Sequence, residues 1–316
     1  MKYFSLSFLF CISSFFVFCQ QWQQQVNYNI TVSLDDEQHT LSGFEKITYI
    51  NNSPDTLRFI YFHLWQNAYK NDRTAFSEGL LKAGRTDFYF SSDEDRGYIN
   101  QLNFAVNNSA ATAEATNDID IVKLLLPKVL PPKDSVSIST SFHVKIPYNF
   151  SRGGHYKQSY QITQWYPKAA LYDKDGWHAM PYLDQGEFYN DFGNYHVHIS
   201  LPENYMVGAT GVLQNIESIQ MNLPKATTSD AENRKKKVKP FFPKKIKTDE
   251  DDITPASSKR WVTRYYAAER VTDFAWFADK TFKVKTDTIQ LATRIVKAHC
   301  YILPENEELY ANSIRF

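Results

Sequence analysis

Cysteine is nearly absent from this sequence, which has three cysteines among 316 residues. Cys11 and Cys19 lie in an apolar leader, so Cys300 has no partner and the rest of the chain cannot form an internal disulfide. A chain without disulfides has to be stabilised by its hydrophobic core. Aromatic residues make up 16% and apolar residues 43% of the chain, enough for one large or two modest domains. We expect Cys300 itself to be a small buried residue rather than a nucleophile.

An excess of charge of one sign is also absent, because 35 Lys and Arg residues balance 35 Asp and Glu residues. A net charge of zero argues against nucleic acid as a partner. Most of the local imbalance falls within residues 224–258, where a basic run is followed by Glu250, Asp251 and Asp252. Such a segment is more often a solvated, mobile loop than a binding patch, and we predict a loop there.

Only one long apolar run is present, and it lies at the amino terminus. Lys2 precedes an apolar run over residues 3–18, and a glutamine-rich polar segment begins at Gln20. This order predicts a secretory signal peptide at residues 1–19 and places the mature protein in the periplasm or outside the cell. Lipid attachment through Cys19 is the alternative, although Phe18 is bulky where that processing favours a small residue. No second run of this kind follows, so we expect no transmembrane segment after cleavage.

Alternation of apolar and polar residues dominates the mature chain. Apolar residues occupy every second position from Val26 to Leu34 and, with Thr140 as the one exception, from Val136 to Ile146, the period of a half-buried strand. We predict further strands at residues 195–201, 205–214, 261–266, 281–285 and 289–296. The run that ends at Ile50 is expected to form a hairpin with residues 57–62, and residues 107–117 a polar loop. Many short strands with few helical patterns predict a mostly β protein, an antiparallel β-sandwich or saddle-like sheet.

A helix is predicted to begin at the carboxyl end. Pro304 suits a first helical turn, and the glutamates that follow it complement the positive end of the helix dipole. Leu309, Ile314 and Phe316 begin an apolar face that no capping residue follows. We therefore expect residues 286–316 to hold a last strand and the start of a helix that belongs to a further domain.

The sequence contains no complete catalytic motif. It has no His-Glu-x-x-His pair for a helix-borne zinc site, no Gly-x-Ser-x-Gly elbow and no glycine-rich phosphate loop. His196 and His198 share one face of a predicted strand, but the apolar residues around them indicate that both rings face solvent or a polar interface. Asp184 and Glu187 are the best local pair of carboxylates for glycoside hydrolysis, a role that such loop pairs seldom have.

Aromatic and polar residues are mixed over residues 164–189, which include Trp165, Tyr166 and Trp177. Buried tyrosine and tryptophan need partners for their polar atoms, so this stretch suits a corner of the core. An exposed platform that binds peptide or sugar explains the same composition. The residues alone leave both interpretations open.

The same stretch carries a family resemblance. Residues 164–211, which include the segment PYLDQGEFYNDFGNY, resemble the N-terminal domain of the M1 family of zinc metallopeptidases, the gluzincin aminopeptidases. Residues 43–77 look like the start of that domain and residues 271–282, VTDFAWFADKTF, like its end. The resemblance is closest to exported forms from bacteria of the Bacteroidetes type. It implies a saddle of antiparallel strands over residues 20–285, followed in the complete enzyme by a zinc-binding catalytic domain as its partner.

The resemblance extends to two candidate substrate-binding residues. In the family, a strand-end Gln and an acidic or amide residue two positions later face the amino terminus of the substrate. Gln164 matches the first position, but Tyr166 occupies the second and cannot supply a carboxylate. The resemblance therefore implies a cleft wall for peptide, with no catalytic residue and no cofactor in this chain and zinc in the complete enzyme. The alternative is an exported module that binds carbohydrate or peptide.

Overall fold

The computed structural model describes residues 22–214 and 254–314. Within these residues the chain is mostly β, with one short α-helix, α1, at Ala75–Lys82 and 3-10 helices at Trp65–Tyr69 and Pro304–Asn306. The strands in chain order are β1 (Gln25–Asp35), β2 (Thr40–Ile50), β3 (Leu57–His63), β4 (Tyr98–Asn100), β5 (Ala105–Val106), β6 (Ser109–Ala110), β7 (Ala113–Ala115), β8 (Ile121–Leu130), β9 (Ser135–Lys145), β10 (Gly154–Tyr156), β11 (Ser159–Ile162), β12 (Lys168–Ala169), β13 (Leu171–Asp173), β14 (Gly176–His178), β15 (Gly193–Pro202), β16 (Met206–Ala209), β17 (Val212–Leu213), β18 (Trp261–Val271), β19 (Trp276–Asp279), β20 (Lys283–Gln290) and β21 (Ile295–Ile302).

The largest sheet contains nine strands in the order β17-β18-β15-β1-β2-β9-β5-β6, and β4 also pairs with β9. Its described neighbours run antiparallel except for β1 and β15, which are parallel with Ile30 opposite Val197. A parallel pair needs a long crossover, and here the crossover contains most strands of two four-stranded sheets, β10-β11-β19-β16 and β12-β3-β8-β7. Apolar residues of all three sheets form one continuous core. The predicted mostly β fold of layered, largely antiparallel sheets is confirmed.

A second cluster of buried apolar residues lies around α1 and the 3-10 helix Trp65–Tyr69, and includes Phe76 and Tyr182. Thr74 caps α1, because its hydroxyl oxygen accepts a hydrogen bond from the amide of Ser77 at 3.3 Å. All five residues of the 3-10 helix are buried. This segment matters for function because it lies against the turn that carries Gln164.

The hairpin predicted between residues 50 and 57 is wrong. β2 pairs with β1 and β9, whereas β3 pairs with β8 and β12 in another sheet. The chain changes sheets here because Asn51 is fully buried and acts as a hydrogen-bonding centre. Its side-chain Nδ2 lies 2.7 Å from the carbonyl oxygen of Asp55 and 3.1 Å from those of Leu130 and Pro131. These contacts hold the connection against the end of β8 and the turn that follows it, and direct the next strand into the second layer.

Replacing Asn51 by alanine is expected to lower the free energy of unfolding by about 2 kcal/mol, because buried carbonyl groups lose a donor. Urea denaturation measures this change. Asn52→Ala is the matched control, since the Asn52 amide donates to Gln23 O at an exposed position, and its effect is expected to stay within about 0.5 kcal/mol. Equal losses in the two variants would contradict the role given to Asn51.

The other strand predictions differ from the structure mainly at their boundaries. The strands at 195–201 and 261–266 lie within β15 and β18, while residues 205–214 divide into β16 and β17. The segment predicted at 281–285 begins at Lys283 and continues to Gln290. The strand predicted at 289–296 is wrong, because its middle is a turn in which Leu291 N donates to Arg294 O at 2.9 Å. No glycine or proline marks that turn, so the apolar pattern runs through it.

The segments predicted as a polar loop and as a helix also contain regular structure. The polar loop predicted at 107–117 includes the short strands β6 and β7. The helix predicted from Pro304 begins as a 3-10 helix, and hydrogen-bonded turns continue through residue 314. The predicted signal peptide at 1–19, most of the segment 224–258 that was predicted to be a loop, and Phe316 lie outside the described residues. None of the helices in the described part of the chain is long and apolar enough to span a bilayer.

Candidate functional site

The residues predicted to bind substrate lie where the chain passes from β11 to β12. Because β11 pairs with β19, residues 163–168 run alongside the connection that joins β18 to β19. Trp165 fixes the two segments together, since its buried indole Nε1 donates to Phe274 O at 3.0 Å. This arrangement brings three polar side chains of the first segment to one carboxylate of the second: Gln164, Tyr166 and Lys168 all contact Asp273.

The carboxylate of Asp273 is the centre of the site. Its Oδ1 accepts from the Tyr166 hydroxyl at 2.8 Å and from the amide of Phe274 at 2.8 Å. The same oxygen lies 3.1 Å from Lys168 Nζ. Oδ2 accepts from Gln164 Nε2 at 3.2 Å. The Asp273 side chain keeps 22% of its surface exposed, so this carboxylate is held in place by the protein and remains reachable from solvent.

Lys168 supplies the positive charge next to Asp273 and is only 2% exposed. Its Nζ also donates to Thr272 O at 2.5 Å. Burial lowers the pKa of Lys168, and the Asp273 carboxylate opposes that shift. Asp191 lies close enough for its charge to act on Lys168, and burial raises the pKa of Asp191 to about 7. Near neutral pH Asp191 is therefore only partly ionised, and it adds partial negative charge beside the Lys168–Asp273 pair.

Tyr166 donates a hydrogen bond to Asp273 and is itself held in place by other tyrosines. It is 2% exposed, and its hydroxyl lies 3.1 Å from that of Tyr195. Its ring meets Tyr28 edge-on, with ring centroids 5.4 Å apart. Burial raises the pKa of Tyr166 well above its usual range, and the charge of Asp273 adds to the shift. Tyr166 is thus protonated at physiological pH and donates to Asp273.

Gln164 occupies an unfavourable backbone conformation. Its φ of 48° lies in the left-handed region that residues other than glycine seldom adopt. While Nε2 donates to Asp273, Oε1 is buried and has no hydrogen-bond partner among residues 22–214 and 254–314. A buried acceptor without a donor is costly. An incoming N–H group that reached this oxygen would remove that cost.

Asp273 and Lys168 were not predicted from the sequence, although Gln164 and Tyr166 were. Asp273 lies 109 residues after Gln164, so no local spacing connects the two. The one available signal was the family resemblance of residues 271–282, which marks that segment without indicating that its aspartate meets the Gln164 turn.

The aromatic residues near the site belong mainly to the core. Trp165 is 1% exposed, and its polar atom is already paired. Trp177 is partly buried and packs on Tyr172 with ring centroids 4.9 Å apart. Of the two interpretations of this stretch, the structure supports a corner of the core, because Trp165 is not accessible to a sugar ring.

Asp184 and Glu187 are not arranged as a glycosidase pair. Asp184 Oδ1 accepts from the Ser151 hydroxyl at 2.7 Å, and its other oxygen lies 3.5 Å from Arg85. Partial burial alone would raise the pKa of Asp184, but the hydrogen bond from Ser151 and nearby positive charges lower it overall. A catalytic acid needs a raised pKa. Glu187 is 93% exposed beside Arg152, so neither residue suits that role.

The remaining candidates also take structural positions. His196 Nδ1 lies 2.7 Å from the Tyr265 hydroxyl and His198 stacks on the same ring, on the polar side of β15 as predicted. In the described ranges, no group of three His, Cys, Asp or Glu is placed so that it could hold a metal ion. The prediction that Cys300 is buried is wrong. It is partly exposed, because the two-stranded sheet β20-β21 leaves most of its residues open to solvent.

Comparison with known proteins gives a likeness in structure only. No protein-family model matches the chain, and no curated protein matches it. Solved structures that resemble it include M1 zinc metallopeptidases. The M1 zinc metallopeptidase from Deinococcus radiodurans gives a TM-score of 0.43 at 10% identity, over 89% of this chain and 47% of that chain. A mutant from the same organism bound to a Tyr-Ser-Ala substrate gives 0.44 at 10% identity, over 89% and 48%. The chain spans about half the length of these enzymes, and a likeness at this level assigns no residue a role.

Proposed function

We propose that this chain is the substrate-cleft and scaffold domain of an exported M1-like zinc metallopeptidase, and that its Gln164–Asp273 corner binds the amino terminus of a peptide. The observation that carries the proposal is a buried, unsatisfied acceptor, Gln164 Oε1, next to a partly exposed carboxylate. A peptide ammonium group brings three N–H donors and a positive charge. It would donate to both side chains and satisfy the oxygen that the described residues leave unpaired.

Tyr166 changes where the negative charge of this corner comes from. The resemblance places an acidic or amide residue at its position, and a phenol cannot replace a carboxylate. In this chain the Tyr166 hydroxyl instead donates to Asp273, so the carboxylate is supplied by the connection between β18 and β19. Tyr166 and Lys168 then orient Asp273, while Asp273 and Gln164 receive the ligand.

The chain's own residues bind and orient the substrate. Peptide hydrolysis itself would depend on zinc in a catalytic domain, where the metal acts as a Lewis acid and activates water. That domain and the peptide are therefore the proposed partners, and the chain alone is expected to be inactive. The predicted leader at residues 1–19 supports export to the periplasm or the cell exterior. A carbohydrate-binding module is the alternative, and the burial of Trp165 counts against it.

Titration with trialanine, followed by amide NMR spectra, tests the proposal. The free peptide is expected to shift the signals of Gln164 and Phe274, whereas N-acetyl-trialanine, which lacks the ammonium group, is not. Gln164→Ala is expected to weaken binding of trialanine about tenfold or more, the effect of losing one hydrogen bond to a charged group. Tyr166→Phe should weaken it less, because Asp273 keeps its other donors.

Gln161→Ala is the matched control, because Gln161 is exposed and lies three residues before Gln164 in the same segment. It should bind trialanine as the unchanged chain does. Equal binding of the free and acetylated peptides, or equal binding by the control and Gln164→Ala, would refute recognition of the amino terminus.

A further inference from the structure

Gln66 makes an unusual pair of contacts to the backbone of the Gln164 turn. It lies in the 3-10 helix Trp65–Tyr69 and is 6% exposed. Its Nε2 lies 3.2 Å from Thr163 O and 3.2 Å from Gln164 O. One buried side chain therefore bonds two successive carbonyl groups, and these groups flank the residue with the left-handed backbone.

The neighbours of Gln66 fix its position on both sides. Trp65 Nε1 donates to Met180 O at 3.1 Å, and the Trp65 ring stacks on His63. Asn67 Nδ2 donates to Ile119 O at 3.1 Å. With both neighbours held in this way, the Gln66 amide has little freedom to leave the two carbonyl groups, so its contacts are those of a rigid support.

The chemistry of these contacts also defines which way the Gln66 amide points. Both partner atoms are carbonyl oxygens, which only accept, so the amide nitrogen has to face them. The oxygen Oε1 is then buried with no partner in residues 22–214 and 254–314. Gln66 also lines a cavity of about 10 Å³ whose other walls are mainly apolar, formed by Leu41, Val144, Ile146, Ile162 and Trp165.

We infer that Gln66 is a positioning residue that sets the conformation of Gln164 for ligand binding. A left-handed φ is disfavoured for glutamine, so the turn needs an external constraint to keep it. The two bonds from Gln66 hold the peptide planes on either side of Gln164 in the orientation that this φ requires. The Gln164 side chain then projects to Asp273. The link to ligand binding rests on the proposed function, whereas the constraint that Gln66 places on the Gln164 backbone is a property of the fold.

Crystal structures of the unchanged chain and of Gln66→Met, each followed by titration with trialanine, test this inference. Methionine keeps the size and buried shape of glutamine and removes both donors. In Gln66→Met we expect Gln164 to leave the left-handed region and trialanine to bind about tenfold more weakly. Gln161→Met, which changes an exposed glutamine three residues before Gln164, should keep both the conformation and the affinity.

The outcomes separate this inference from the proposed function. A folded Gln66→Met that keeps the left-handed φ at Gln164 and the affinity overturns the positioning role, even if its melting temperature falls. If the unchanged chain does not bind trialanine, the proposed function fails, and the φ of Gln164 in the variant still decides the role of Gln66. If Gln66→Met does not fold, the structure of the unchanged chain decides instead. Absence of either carbonyl contact of Gln66 there refutes the inference.

Discussion

Replacing Asp273 by asparagine is expected to lower the free energy of unfolding by about 3 kcal/mol, because it removes the carboxylate that is paired with the buried Lys168. Lys168 is 2% exposed, so water cannot take the place of the carboxylate. The estimate lies at the low end for a broken buried ion pair, since Asp273 itself is partly exposed. Urea denaturation followed by tryptophan fluorescence measures the change.

The loss in Asp273→Asn should also depend on pH. Burial lowers the pKa of Lys168, and Asp273 opposes this shift more strongly than Asp191 does, so the variant lowers the pKa further. The unfolded chain then binds a proton that the folded chain does not, and stability rises with pH. We expect a larger loss at pH 6 than at pH 9.

A double replacement distinguishes the ion pair from a general effect of changing Asp273. Lys168→Met combined with Asp273→Asn removes both charges, and the double variant is expected to lie within about 1 kcal/mol of the unchanged chain. If the double variant is as unstable as Asp273→Asn, the loss does not come from an unpaired lysine.

Replacing Glu45 by leucine is expected to raise the free energy of unfolding at pH 7 by about 3 kcal/mol, because an isolated buried carboxyl is replaced by an apolar side chain of similar size. Glu45 is 0% exposed, in β2 between Ile30 of β1 and Thr140 of β9. Neither of its oxygens has a hydrogen-bond partner within the described part of the chain. The core therefore contains a carboxyl group to which none of the described residues donates a hydrogen bond.

The pH dependence identifies the cause of the Glu45 effect. Burial raises the pKa of Glu45 well above its usual value. The folded chain thus keeps a proton that the unfolded chain releases, so the contribution of Glu45 to stability is complete below the unfolded pKa. That contribution is lost as pH rises towards the folded pKa. The gain from Glu45→Leu should grow between pH 4 and pH 7, and Glu45→Gln should remove the same slope.

Glu37→Gln is the control for the Glu45 variants, because Glu37 is exposed in the turn between β1 and β2. Its effect is expected to stay within about 0.5 kcal/mol across this pH range. A destabilised Glu45→Leu would mean that the carboxyl makes a favourable contact in the core, and would contradict the reading of Glu45 as unsolvated.

The strands were predictable wherever one face of a sheet is buried. β1 and β9 keep a strict alternation of buried residues with exposed or partly exposed ones, and the sequence shows it directly. Prediction failed where a polar residue controls the path of the chain. Asn51 looks like part of an ordinary hairpin turn, yet its burial separates β2 from β3 into different sheets. Prediction also failed at the turn Leu291–Arg294. This turn lacks glycine and proline, so the apolar pattern predicts a continuous strand there.

The candidate site was only half predictable for a related reason. Gln164 and Tyr166 are two positions apart and could be found through the family resemblance. Their common partner, Asp273, reaches them through the pairing of β11 with β19, a contact between distant parts of the chain. The support from Gln66 depends on a third segment. Sequence patterns describe neighbours along the chain, whereas this site is assembled from three separate connections.

The most direct test of the proposed site is a crystal structure of the chain with trialanine bound. The peptide nitrogen is expected to lie within about 3.2 Å of Asp273 Oδ2 and of Gln164 Oε1, a normal hydrogen-bond distance. A peptide seated elsewhere, or one that places its carboxylate in this corner, would contradict this expectation. In that case Gln164, Tyr166 and Asp273 would be a buried polar network that stabilises the fold.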